Sequence, residues 1–149
     1  MMARLKVLMA MALLVGGATA CSDLTGTTAR ADGVYFLQSV NGNGVPYSYA
    51  DNTTGHTLTV MSDTYSVNSD GTYSDQQIYR EDTGTQILNK SYTESGTWAQ
   101  RNNVVSFYPS QSSTGNLTLY QGTISNTNLS GGARTLSISF TGTTWFYSE

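Results

Sequence analysis

From residue 33 onward the sequence consists of short segments rich in β-branched and aromatic residues, separated by Gly, Asn and Asp. Within these segments apolar and polar side chains often alternate: Leu136, Ile138 and Phe140 are separated by Ser137 and Ser139. This period of two is typical of antiparallel strands with one face in a core. Because charged residues make up only 11% of the chain, a helix bundle, which needs Glu and Lys beside Leu and Ala, is disfavoured.

Turn signals divide residues 33–149 into eight or nine predicted strands. The strongest is Asn68-Ser69-Asp70-Gly71, in which Gly71 can adopt a positive φ at no cost. Strands are predicted, among others, at 86–93, 96–100 and 117–124. Such a meander either closes into a barrel or packs as a sandwich. We expect an all-β fold, an antiparallel meander that closes into a barrel of about eight strands.

The first 20 residues have the features of a secretory signal peptide. Arg4 and Lys6 form a positive start, and residues 7–15 are apolar and followed by small residues. This apolar stretch is shorter than the roughly 20 residues that a membrane-spanning helix needs. Cleavage is therefore favoured over an uncleaved anchor helix, and the mature protein is expected to be exported.

Cys21 is the only cysteine in the chain and directly follows the small residues Ala18-Thr19-Ala20. Ordinary cleavage there would release a soluble protein with a free thiol, but the same residues also resemble a bacterial lipobox. A single cysteine cannot form an intramolecular disulfide, which favours lipidation of Cys21. Two or three acyl chains would anchor the protein stably in a membrane. Ser22, directly after the cysteine, resembles the residue found in lipoproteins sorted to the outer membrane, on its periplasmic or surface face.

The chain is thus predicted to have three parts. Residues 1–20 form the signal peptide, 21–32 the lipidated cysteine with a flexible tether, and 33–149 a single β domain. Removal of Arg4 and Lys6 leaves 5 basic and 10 acidic side chains, a net charge of −5. Such a chain lacks the basic surface that nucleic-acid binding requires, so no nucleic-acid partner is expected. We expect a monomer.

Several segments resemble those of small bacterial lipocalin-like lipoproteins. They are the opening Gly33-Val34-Tyr35-Phe36-Leu37-Gln38-Ser39-Val40-Asn41-Gly42 followed by Val45-Pro46, the hairpin Asn68-Ser69-Asp70-Gly71-Thr72-Tyr73, the strand Ser95-Gly96-Thr97-Trp98, and the closing Trp145-Phe146-Tyr147. The resemblance covers about residues 33–149. It implies a lipocalin-like antiparallel barrel of about eight strands, and it implies no catalytic residues.

No arrangement of residues in the sequence predicts catalysis. His56, the only histidine, is expected to be a surface residue, and metal sites usually collect several His, Cys or carboxylate ligands. The nucleophile motif G-x-S-x-G is absent. A glycosidase pair could come from the acids Asp63, Asp70, Asp75, Glu81, Asp82 and Glu94. However, Asp70 belongs to a turn signal, and Glu81-Asp82 is expected in a loop. We therefore expect no enzyme activity, no cofactor and no metal site.

Aromatic residues make up 11% of the chain, including ten tyrosines. In one interpretation they line a barrel that binds a small hydrophobic ligand, with the candidate lining residues Tyr35, Leu58, Tyr73, Trp98, Phe107 and Trp145. In the other they fill the interior, as in small barrels, with Phe107, Leu119, Ile138 and Trp145 as core. The first predicts a lipid-anchored cell-envelope protein that binds a small ligand. The second, which the small domain size favours, predicts a non-catalytic structural or interaction protein of the envelope.

Overall fold

The computed structural model describes residues 29–126 and 133–149. The predicted signal peptide, Cys21 and the tether up to residue 28 lie outside the described residues, as does the second half of the turn predicted at 125–128. Within the two described ranges every regular element is a β-strand. Neither range contains a helix long and apolar enough to cross a membrane.

Ten antiparallel strands form one sheet. They are β1 (Gly33–Val40), β2 (Asn43–Gly44), β3 (Tyr47–Ala50), β4 (Thr57–Val67), β5 (Thr72–Asp82), β6 (Ile87–Arg101), β7 (Val104–Ser112), β8 (Tyr120–Asn126), β9 (Arg134–Phe140) and β10 (Thr143–Ser148). Strands β4 to β10 pair in sequence order, and β1 pairs with both β10 and β4. These eight strands close a barrel, which confirms the predicted all-β fold and its antiparallel meander.

The pairing of the first and last strands closes the barrel as expected. Leu37 lies opposite Tyr147, and Val40 lies opposite Trp145. On its other side, β1 places Tyr35 opposite Tyr65 of β4. Closure leaves these strands without the unpaired edges at which sheets aggregate. The short strands β2 and β3 add to β1 and β4 respectively, where those two strands no longer pair with each other.

The two ends of the barrel differ, and residues 29–32 lie at the end where β1 begins, which we call the closed end. Ala31 is buried, and its N–H donates to Oε1 of Gln100 at 2.9 Å. The hydroxyl of Tyr35 donates to the carbonyl oxygen of Ala31 at 2.9 Å. The last four residues of the predicted tether thus contact the barrel. The opposite end, where β1 ends and β10 begins, is called the open end.

Large side chains with less than 2% exposure fill much of the interior: Tyr35, Tyr73, Tyr147, Phe107, Ile124, Leu136, Val40, Val60 and Val105. Phe107 and Ile138 are buried, as the packing interpretation predicts, and the ring of Phe107 lies 5.0 Å from that of Tyr73. Leu119 was expected in the same core, but it is 50% exposed. It lies in the loop 113–119 instead of a strand.

The strand predicted at 117–124 is therefore wrong at its start: residues 117–119 belong to the loop, and β8 begins only at Tyr120. Oδ1 of Asn116 accepts hydrogen bonds from the backbone N–H of Thr118 at 3.2 Å and from its hydroxyl at 2.7 Å. Such local side-chain hydrogen bonds compete with a β ladder. Leu117 is consequently exposed as well.

Two further predictions on the β5–β6 hairpin are wrong. The strands predicted at 86–93 and 96–100 form the single strand β6, because Gly96 marks a bulge and not a turn. A Cβ at Gly96 would overlap the carbonyl oxygen of Tyr108, so glycine permits the close approach of β7 here. Glu81 and Asp82 end β5 rather than forming a loop.

Candidate ligand-binding cavity

A cavity of about 300 Å³ lies inside the barrel toward the open end. The loop 113–119 contributes Thr114, Asn116 and Thr118 to its wall, and the strands contribute Asp63, Tyr65, Asp75, Gln77, Tyr92, Glu94, Tyr120, Ile138, Phe140, Trp145 and Tyr147. Its volume is at the lower end of the range for small-molecule sites. The barrel interior is therefore not filled along its whole length.

Three carboxyl groups lie in this interior. Asp63, Asp75 and Glu94 are only 3%, 5% and 7% exposed. They stand on the adjacent strands β4, β5 and β6, and Asp75 is directly opposite Glu94. Each is two residues from an inward-facing tyrosine on its own strand, so the period of two directs it into the barrel. The sheet thus concentrates negative charge where most barrels place apolar side chains.

Glu94 is surrounded by tyrosine hydroxyls. Tyr73 and Tyr120 donate to its Oε1 at 2.6 and 2.7 Å, and Tyr92 donates to its Oε2 at 2.6 Å. Because the hydroxyl of Tyr120 donates to Glu94, that of Tyr65, 2.9 Å away, is the donor to Tyr120. Short O–H···O⁻ bonds of this kind satisfy a buried carboxylate as an acceptor. Burial raises the pKa of all four tyrosines, so they stay neutral hydrogen-bond donors.

Asp63 and Asp75 form a second carboxyl group pair, which accepts fewer hydrogen bonds than Glu94 does. Oδ2 of Asp63 accepts from the hydroxyl of Tyr147 at 3.0 Å and from Nε2 of Gln77 at 3.1 Å. Oδ1 of each aspartate is buried and accepts no hydrogen bond from any described residue outside this pair. Burial raises the pKa of Asp63, and burial together with a hydrogen bond to Asp63 raises the pKa of Asp75 to about 11. At neutral pH the pair therefore shares one proton, since two ionised carboxylates this close repel each other.

Within residues 29–126 and 133–149, no Lys, Arg or His lines the cavity wall to balance this charge. His56 and Lys90 instead contact Glu81: Nδ1 of His56 lies 2.6 Å from Oε1, and the Lys90 ammonium contacts Oε2. Hydrogen bonds from Lys90 and from His56 lower the pKa of Glu81. The described residues also include no group of three His, Cys, Asp or Glu side chains arranged to hold a metal ion.

The six residues that the sequence suggested as ligand contacts do not form one site. Trp145 alone lines the cavity. Tyr73 and Phe107 lie behind residues that line the cavity. The hydroxyl of Tyr73 donates to Glu94, and the ring of Phe107 packs 5.2 Å from that of Tyr120.

The other three suggested contacts lie elsewhere. Tyr35 belongs to the closed end, where it contacts Ala31. Half-buried Trp98 donates from Nε1 to the carbonyl oxygen of Asn68 at 2.9 Å. Leu58 lines a separate surface pocket with Glu81.

From the sequence alone, the acidic residues of the cavity are candidates only for a catalytic pair and not for ligand contacts. A signal for them was present: Asp63, Asp75 and Glu94 each share a strand face with a tyrosine two residues away. That spacing places carboxyl and phenol groups in the same layer of a barrel.

Comparisons with protein-family models, with curated proteins and with solved structures found no match to this chain. The geometry of the cavity and the sequence of the N-terminal segment are therefore the features that indicate a function.

Proposed function

We propose that this protein is an exported, lipid-anchored protein of the bacterial cell envelope whose barrel binds a small ligand. The observation that carries the proposal is the cavity of about 300 Å³ with buried polar groups in its wall. A barrel with a purely structural or interaction role gains nothing from such a cavity, because an empty space and unpaired polar atoms both lower stability. The alternative of a filled barrel is therefore disfavoured.

The segment that would lead from the proposed anchor joins the domain at the end opposite the cavity. Ala29, the first described residue, lies eight residues after Cys21 and packs at the closed end of the barrel. Eight residues span at most about 28 Å when fully extended. Acyl chains on Cys21 would hold the closed end near the membrane and leave the open end facing the aqueous compartment. The ligand would thus enter from water.

The residues in the cavity wall make the predicted class of ligand more specific than the hydrophobic molecule that the sequence suggests. Six aromatic rings supply apolar surface, and carboxyl and amide groups stand among them. A ligand without polar groups would leave those groups buried and unpaired, at a cost of about 1–3 kcal/mol each. The cavity fits a molecule with both an apolar body and a polar group.

Replacing Cys21 with Ala is expected to move the protein from the membrane fraction to the soluble fraction. Acyl chains contribute about 0.8 kcal/mol per buried methylene, and an acidic chain has no other attraction to anionic lipids. Cell fractionation followed by immunoblotting measures the change, with Ser22→Ala as the matched control that stays in the membrane. Equal membrane association of Cys21→Ala and wild type would show that lipidation is not the anchor.

Native mass spectrometry of the protein purified from its source tests the binding function. We expect a species heavier than the processed polypeptide, with the extra mass lost on collisional activation. A purified protein that always shows the mass of the acylated polypeptide alone would contradict a ligand-binding role.

A further inference from the structure

We propose that the cavity selects a small organic cation, a protonated amine on an aromatic or short aliphatic body, with Asp63 and Asp75 as its charge partners. This inference rests on the proposed ligand-binding function and specifies the chemical class of the ligand. It is argued from the unpaired carboxyl oxygens, the charge of the cavity wall and its aromatic rings.

The first observation is that Oδ1 of Asp63 and Oδ1 of Asp75 have no hydrogen-bond donor apart from the proton that the pair shares. Both side chains face the cavity at 3% and 5% exposure, and no other described residue donates to either Oδ1. Buried carboxyl oxygens are nearly always hydrogen-bonded or paired with a cation. An ammonium group carries up to three N–H donors and no acceptor, so it can satisfy both oxygens at once.

The second observation is the sign of the charge. Asp63, Asp75 and Glu94 all line the cavity, and none of the described basic residues does. An anionic ligand would add a like charge to this low-dielectric site, where repulsion is strong. A neutral ligand would leave the carboxyl charge uncompensated. A cation is the one charge class that this wall attracts.

The third observation concerns the body of the ligand. The rings of Tyr65, Tyr92, Tyr120, Trp145 and Tyr147 surround the carboxyl groups in the cavity wall. The faces of aromatic rings attract organic cations and pack against apolar groups. A metal ion would instead require several oxygen ligands arranged around one point, and the described acidic residues form no such group. The wall therefore favours an organic cation over a metal ion.

Binding of the cation is expected to displace the proton that Asp63 and Asp75 share. One proton then leaves to solvent for each ammonium bound, and the ammonium takes its place between two ionised carboxylates. The other titratable groups facing this pair are Tyr65 on β4, Tyr73 on β5, Tyr92 and Glu94 on β6, Tyr120 on β8 and Tyr147 on β10. The tyrosines stay neutral, because burial raises their pKa. The affinity for the cation should therefore rise with pH between 5 and 8, by up to about tenfold per pH unit.

Isothermal titration calorimetry with three probes of matched shape tests the proposal. The probes are 2-phenylethylamine as the cation, 2-phenylethanol as its neutral counterpart and phenylacetate as the anion. At pH 8 we expect the amine to bind at least about 30-fold more tightly than the alcohol, and the anion not to bind. This ratio follows from the usual cost of leaving one partner of a buried charge pair unpaired. Proton release, measured in buffers of different ionisation enthalpy, should approach one per amine bound near neutral pH.

Asp75→Asn and Asp63→Asn are the test variants, because each keeps the shape of the side chain and removes its charge. Because neither variant holds the shared proton, both should release no proton on binding the amine and should lose the rise of affinity with pH, while Asp70→Asn, in an exposed turn, should behave as wild type does. Urea unfolding of each variant confirms that the protein is folded. Proton release and a pH dependence of amine affinity that are unchanged in both cavity variants would overturn the proposal.

The outcomes separate this inference from the function on which it rests. If the alcohol or phenylacetate binds as tightly as the amine, the cavity binds ligands and its proposed cation selectivity is wrong. If Ca²⁺ alone binds at Asp63 and Asp75 and excludes the amine, the ligand class is a metal ion. If no probe of any charge binds, the ligand-binding function itself is contradicted, together with the inference.

Discussion

Replacing Phe107 with Ala is expected to lower the free energy of unfolding by about 3–5 kcal/mol. The ring of Phe107 is fully buried on β7 and lies 5.5 Å from Tyr65, 5.0 Å from Tyr73 and 5.2 Å from Tyr120. Its removal leaves a void among three rings that are fixed by hydrogen bonds and cannot collapse into the space. Urea denaturation followed by tyrosine and tryptophan fluorescence measures the change.

Phe36→Ala is the matched control for this substitution. Phe36 lies on the outer face of β1 and is 51% exposed, so its truncation should change the free energy of unfolding by no more than about 0.5 kcal/mol. An unfolding midpoint of Phe107→Ala equal to that of wild type would mean that Phe107 is not a core residue.

Replacing Asp75 with Asn is expected to remove most of the pH dependence of stability between pH 5 and 8. In the folded protein the pKa of Asp75 is raised to about 11 by burial and by its hydrogen bond to Asp63, whereas an unfolded aspartate has a pKa of about 3.9. The folded state thus holds a proton that the unfolded state releases above pH 4. Stability is greatest below that pH and falls as pH rises, by up to about 1.4 kcal/mol per pH unit.

Across three pH units this loss amounts to about 4 kcal/mol in wild type. The amide N–H of an Asn at position 75 can donate to Asp63 and does not titrate. The free energy of unfolding of Asp75→Asn should therefore not change with pH, and it should exceed that of wild type at pH 8. Asp70→Asn provides the comparison: hydrogen bonds from Thr72 lower the pKa of Asp70, so it titrates below this range and the wild-type slope should persist. A wild-type profile that is already flat would mean that Asp63 and Asp75 share no proton.

The barrel could be predicted from the sequence because its signals are local. Alternation over residues 136–140 and the turn at Gly71 identify strands independently of their partners. The pairing of the first strand with the last follows from closure of the barrel. In contrast, the segment around Gly96 has the composition of a turn, and only the approach of Tyr108 from β7 shows that it is a bulge. Such a contact between strands is not visible in one segment of sequence.

The cavity was harder to predict, because its chemistry arises between strands. Asp63 and Asp75 are 12 residues apart in sequence, and their proximity depends on the register of β4 and β5, which a bulge between Val60 and Ser62 shifts. A charged residue within a strand usually faces solvent, so each acid alone suggested a surface position. The clue lay in the tyrosine two residues from each acid.

Binding of a small molecule inside the barrel can be measured directly through the two tryptophans. Trp145 lines the cavity, whereas Trp98 contacts Asn68 at the closed end. In Trp98→Phe protein, titration with the three matched phenyl probes should change the fluorescence of Trp145 saturably with at least one probe. The reciprocal Trp145→Phe protein, which reports only from Trp98, should show no comparable change. Absence of any change at Trp145, or a saturable response confined to Trp98, would contradict ligand binding in the cavity.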